Sequence, residues 1–261
     1  MKEISHKIFY KKSYWLVAIL LWISWGVGKL FLEKKVAHEL TPSLNLRVSE
    51  QMGQDAVLAL FSGFRSVLAD GLWLRANYQF EQQQWLPMRE DMELVCLLQP
   101  RSVFFWEMAV WHLAWNMSHA ARYDLKEPSL AKRLKAEQSY ILAGRKLLDR
   151  GLENIPDRYE LWVARGFLRA EKQKDYEGAA EDFLKATTFP DAPAYVFRQV
   201  AYHLERAKKW QEAYAFWLKI WRSFPDKNAT PEMRWDRVQA HIERLEEKLN
   251  IPQQQKLFPG N

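Results

Sequence analysis

The chain has 261 residues, 48% of them hydrophobic, ample for one folded core. Its single cysteine, Cys96, excludes a disulfide within the chain and sits in the apolar run Glu93-Leu94-Val95-Cys96-Leu97-Leu98, as a core thiol does. A formal charge of +6 points to nucleic acid only until the charge is located: residues 1–35 hold seven Lys and two acids, and the rest carries 31 basic and 30 acidic side chains with no basic stripe, so no nucleic-acid partner is expected.

Residues 1–13 form a basic segment with Lys2, Lys7, Lys11 and Lys12. Tyr14 to Leu32 then runs for 19 residues with one charge, Lys29, placed where a long side chain snorkels to an interface. The length, the Lys-rich flank and Trp15, Trp22 and Trp25 predict a transmembrane helix at residues 14–32 that partners the lipid bilayer. The run exceeds the ~7–15 apolar residues of a cleavable signal core, and Glu33-Lys34-Lys35 is no small-residue cleavage site. The anchor is therefore expected to be retained, with a cytoplasmic N-terminus by the four-to-three balance of Lys on its two sides. Residues 33–53, with Thr41-Pro42-Ser43, read as a stalk.

From residue 54 to 249 the pattern is helical throughout: Leu, Ala, Trp and Phe recur at threes and fours, Gly is sparse, and strand alternation is absent. The fold class is all-α. Pro100, Pro156, Pro190 and Pro225 punctuate this stretch into about four helix pairs. The first pairs a helix near 54–82 with one near 88–98. The second pairs a Trp-rich helix at about 102–121 with one at about 131–152 across the polar Lys126-Glu127-Pro128, and the third and fourth occupy about 157–191 and 192–225. Met233 to Leu249, rich in Glu, Arg and Lys, fits a polar capping helix after Pro231, and residues 250–261 are expected to be a flexible tail.

The last two pairs share a register. Tyr176, Ala179, Phe183, Leu184, Lys185, Ala186 and Asp191 map after 34 residues onto Trp210, Ala213, Trp217, Leu218, Lys219, Ile220 and Pro225. On the first helices Phe197, Ala201 and Leu204 fit the same pattern, whereas Trp162 and Gly166 fit only if one residue is inserted within Glu171-Lys172-Gln173-Lys174. This spacing of aromatic and small residues resembles the tetratricopeptide repeat (TPR), whose units stack into an α-solenoid and whose usual work is protein binding. Phe64 to Ala76 is also similar to a stretch found after the anchor in bacterial single-pass membrane-anchored TPR proteins. That likeness covers this one helix and implies architecture only; the anchor and the TPR resemblance together lead to the expectation of a single-pass inner-membrane scaffold or assembly factor for a membrane or envelope complex, or else a permanent structural subunit of one, with the Lys balance placing the helical domain in the periplasm.

Three sets of side chains are candidates for chemistry. Tyr195, Arg198, Tyr202 and Arg206 follow a three-to-four spacing on the first helix of pair four, and the TPR resemblance places them along a partner groove suited to a peptide or carboxylate. Trp111, Trp115 and His119 form a second candidate partner surface. His112 and His119 recur at i, i+7, roughly 10 Å apart along a helix axis, so no metal is expected there. Asp70, Trp73 and Asn77 share a face, with Asp70 expected to pair with a neighbouring Arg. No phosphate-binding loop, nucleophile elbow or Cys-x-x-Cys occurs, so neither a cofactor nor catalysis is expected.

Deleting residues 1–35 should release a soluble helical domain, because they supply membrane partition rather than solenoid core. Carbonate extraction of the intact chain from membranes would contradict the anchor.

Overall fold

The computed structural model describes residues 64–224 and 226–258. The segments expected to form the basic start, the anchor and the stalk lie outside these residues, as do the first ten residues of the helical region. Among the described residues no helix is long and apolar enough to cross a membrane.

All regular structure among the described residues is helical. Helices α1 (Arg65–Glu81) and α2 (Trp85–Leu98) form the first pair. In the second, α3 (Val103–Trp111), a π-helical segment (His112–Met117) and α4 (Ser118–Arg122) run on without a break and pack against α5 (Leu130–Asn154). The third joins α6 (Tyr159–Phe167) and a π segment (Leu168–Gln173) to α7 (Tyr176–Ala186). The fourth is α8 (Tyr195–Arg206) with α9 (Trp210–Ser223), and α10 (Trp235–Lys248) closes the stack. The strong contacts join elements adjacent or nearly adjacent in the chain, as in a solenoid, where each unit touches only its neighbours.

Local chemistry sets the boundaries. The Ser129 hydroxyl caps α5 by accepting the Lys132 N–H, and the Asp175 carboxylate caps α7 by accepting the Gly178 N–H at 2.9 Å. The prolines that punctuate the sequence also supply carbonyls. The Trp106 indole N–H donates to the Pro100 carbonyl at 2.9 Å, and Trp162 donates to Pro156 at 3.2 Å, so each first helix is pinned to the loop that precedes it.

The extra residue between Gly166 and Tyr176 is visible directly. In pairs one and four the turn between helices holds a left-handed residue, Gln83 or Lys208, and the next N–H reaches back five residues, Gln84 to Gln79 and Lys209 to Leu204. In pair three the left-handed residue is Lys174, 34 before Lys208, but the Asp175 N–H reaches back six, to Arg169. The wider π turn of Leu168–Gln173 absorbs the difference. The insertion thus begins a few residues ahead of the 171–174 stretch that the sequence suggested.

Three expectations are corrected. Asp70 is exposed and joins no ion pair among the described residues; Arg75 instead grips Asp91 at 2.7 and 2.5 Å, because Asp91 lies on the α2 face that meets α1. The C-terminal helix begins at Trp235 rather than Met233, since Pro231–Met233 is a 3-10 turn ended by left-handed Arg234. The described portion of the tail is held, not free: the Leu257 N–H donates to Glu246 at 2.7 Å and Phe258 packs edge-on against Trp221 at 4.9 Å.

Ala213 is fully buried in one cluster with Ala201 and Trp217, where α9 meets α8. Ala213→Leu should overpack this contact and destabilise by about 1–3 kcal/mol in chemical denaturation. An unchanged midpoint would show the 34-residue register to be accidental.

Candidate functional site

The face of α8 that carries Tyr195, Arg198, Tyr202 and Arg206 does not act as one surface. Near its start Tyr195 is half-buried beside Tyr159, where burial foremost raises its phenol above the ordinary value. Arg198 is half-buried too, its Nε without a hydrogen-bonding partner among the described residues, and burial, then Arg237 and Arg234, push its guanidinium down. Tyr202 and Arg206 are exposed and line an open groove of about 660 Å³ between α8 and α10. Four residues over three turns share a face but meet different neighbours along it.

The groove has a buried carboxylate for its floor. Glu205, 7% exposed, accepts the Trp217 indole N–H at 2.7 Å, lies 2.6 Å from His241 Nδ1, and accepts from Arg244. Burial pushes this carboxyl up, and the bonds from His241, Trp217 and Arg244 outweigh it, so it is held below the ordinary carboxylate range. The Lys248 ammonium sits 3.9 Å over the Trp210 ring at the mouth. Arg206 lies 4.4 Å over the Tyr176 ring and donates to the Tyr176 hydroxyl at 2.8 Å and the Tyr202 hydroxyl at 3.3 Å. No carboxylate among the described residues pairs with Arg206.

These contacts repeat from one unit to the next. Tyr176 and Trp210, 34 residues apart, each carry a cation from the following first helix, Arg206 and Lys248. Phe183 and Trp217, also 34 apart, each carry an imidazole: His203 stacks on Phe183 at 5.2 Å and 6°, and His241 on Trp217 at 4.8 Å and 24°. The His-x-x-Arg of α8 recurs 38 residues on as His241-x-x-Arg244. The partner of His241 does not recur, because the register that matches Ala201 with Gly166 matches Glu205 with buried Ala170. His203, 4% exposed, therefore has no hydrogen-bonding partner for either ring nitrogen among the described residues.

Trp111, Trp115 and His119 lie in the second pair and do not contribute to the groove. Trp111 is 46% exposed with its edge on His112, the Trp115 indole donates to Glu171 at 3.2 Å, and His119 packs against Tyr123. Asn116 Nδ2 meets His112 Nδ1 at 2.9 Å, and burial lowers the His112 imidazole to about 4. Cys96 is buried and its thiol is pushed up to about 12 by burial, an inert core group.

Glu205, His241, Arg244 and Lys248 escaped the reading of the sequence, and Trp210 entered it only as a repeat position. The signal was present in α10, where His241, Arg244, Leu245 and Lys248 follow the i, i+3, i+4, i+7 rule of one face. A Glu- and Arg-rich helix reads first as a solvated cap.

No family model and no curated protein matches this chain. Among solved structures it is similar to the crystal structure of a thermophilic TPR protein from Thermus thermophilus, with 14% identity over 72% of this chain and 94% of that one, at a TM-score of 0.43. The stacking of helix pairs rests on this chain's own contacts rather than on that likeness.

Burial, with Arg206 second, lowers the His203 imidazole from 6.5 to about 4, so the folded chain keeps it neutral where the unfolded chain binds a proton. Stability is fully present above the unfolded value and is lost as pH falls through the window from 6.5 towards 4, by up to about 3 kcal/mol. His203→Phe keeps the stack and removes the titration. The melting temperature of the variant should equal or exceed that of the parent at about pH 7 and fall less by about pH 5; a parallel fall in both proteins would contradict this.

Proposed function

We propose that this chain is a membrane-anchored scaffold that holds protein partners of a membrane or envelope complex in the groove between α8 and α10. The observation that carries the reading is the composition of that groove. Tyr202 and Trp210 offer aromatic surface, Arg206, Arg244 and Lys248 line it beside the carboxylates of Glu205 and Glu247, and Arg206 is hydrogen-bonded by tyrosine hydroxyls alone. Such a surface suits an extended segment bearing carboxylates: a guanidinium bound only to phenols gains a charge-assisted hydrogen bond when an acid enters, at little expense in lost partners. Binding is the whole mechanism. The predicted anchor at residues 14–32 would place the domain on the periplasmic side of the bacterial inner membrane and confine the groove to the bilayer surface, raising its effective concentration near membrane-bound partners.

Arg206→Ala combined with Lys248→Ala tests this, because both side chains are exposed and their removal leaves the core untouched. Native-membrane co-purification read by mass spectrometry should lose the partner while circular dichroism and melting stay at parental values. A folded double variant that retains every partner removes the groove from consideration.

A further inference from the structure

Fifteen of the seventeen exposed large hydrophobic side chains among the described residues precede residue 143, at the end of the solenoid away from the groove. On α1 they are ordered. The buried face of this helix is Ala69, Leu72, Ala76 and Gln79. On the opposite face Val67, Leu74 and Tyr78 stand 66%, 69% and 60% exposed, and with Gly71 they recur at i, i+4, i+7 and i+11. A helix apolar on two faces is a helix with a neighbour on each. Spacing of this kind is the seam of a helix–helix contact, and it runs about 16 Å, three turns. Gly71 lies in its middle, and a Cβ built there meets nothing within 4 Å, so the seam has an open hole for an incoming side chain.

The charge beside the seam selects the occupant. At 100° per residue Asp70, Asn77 and Glu81 fall on one flank. Asp70 and Glu81 are exposed and join no ion pair among the described residues. The other flank is Phe64 and Leu68, with Arg75 beyond them already committed to Asp91. Beside the seam an anionic bilayer surface meets two carboxylates, and the one cation on its flanks among the described residues, Arg75, is paired with Asp91, the reverse of an interfacial helix. A second copy packed antiparallel sets the Asp70 and Glu81 flank against the same carboxylates of its mate.

We propose that the outer face of α1 is a second docking surface, distinct from the α8–α10 groove, and that it receives an amphipathic helix of a partner protein whose apolar stripe is flanked by Lys or Arg. Val67, Leu74 and Tyr78 supply the apolar contact, Gly71 receives a knob, and Asp70 and Glu81 select the basic flank.

The test uses the full chain and two labelled helical peptides of about three heptads, identical in their Leu seam and flanked either by Lys or by Glu. Fluorescence anisotropy should show the Lys-flanked peptide binding at least about tenfold more tightly than the Glu-flanked one. Leu74→Arg, at an exposed position that leaves folding intact by circular dichroism, should abolish that binding. Asp70→Lys with Glu81→Lys should reverse the preference between the peptides. Equal binding of both peptides, or binding that survives Leu74→Arg, overturns the proposal. So does a dimer, or flotation with anionic phosphatidylglycerol vesicles, that Leu74→Arg abolishes, because the face would then belong to a second copy or to lipid.

Discussion

The ring of Phe183 holds the C-terminal half of this molecule together. It is fully buried and lies so close to Gly166 that a Cβ added there would come within 2.9 Å of its edge, while His203 covers it in a near-parallel stack. One side chain of α7 therefore sets the distance to α6 before it and to α8 after it. In the next unit Trp217 has the corresponding role, sharing a cluster with Ala201 and stacking with His241. Interiors pack at crystal-like density, so an aromatic ring matched to a small residue fixes how closely two helices approach, and repeating the match repeats the geometry. The solenoid is that repetition.

Two buried carboxylates lie beside these rings and are satisfied by different means. Asp182, on α7, takes a bidentate grip from Arg165 with bonds of 2.7 to 3.0 Å, and burial still raises its carboxyl above the ordinary value. Glu205, on α8, gathers an indole, an imidazole and a guanidinium, and the balance goes the other way. Asp182 is a junction within pair three, linked through Arg165 to Asp149 of α5. Glu205 ties the last pair to the closing helix and forms the floor of the groove. Buried ion pairs add little net stability, but removing one partner leaves an uncompensated buried charge and is expensive.

The two ends of the described stack differ in surface character. Around the groove, cations sit over aromatic rings and little large hydrophobic surface is exposed. Around α1 the reverse holds, with an apolar seam edged by unpaired acids. A stack of repeats presents separate surfaces along its length because each unit contacts only its neighbours, and this one carries a basic aromatic surface near one end and an acidic apolar one at the other.

The division into helix pairs and the presence of one inserted residue in the third were legible in the sequence, although the insertion begins ahead of residues 171–174 and the closing helix starts at Trp235. Each depends on relations within a few residues or within one 34-residue period: apolar recurrence at threes and fours, prolines that stop helices, and the one-residue slip between Gly166 and Tyr176 that the π turn absorbs. The partners of Glu205 and the isolation of the His203 nitrogens were not. They depend on α10 stacking on α9 with a 38-residue offset rather than a 34-residue one, which brings His241 and Arg244 to Glu205 through a contact 36 to 39 residues long. Exposure is equally non-local. Leu74 and Leu72 are the same residue type two positions apart on one helix, and only the placement of α2 and the helices beyond it makes Leu72 core and leaves Leu74 on the surface. Sequence periodicity determines which residues share a face; the neighbours packed against that face decide whether it is core, groove or docking surface.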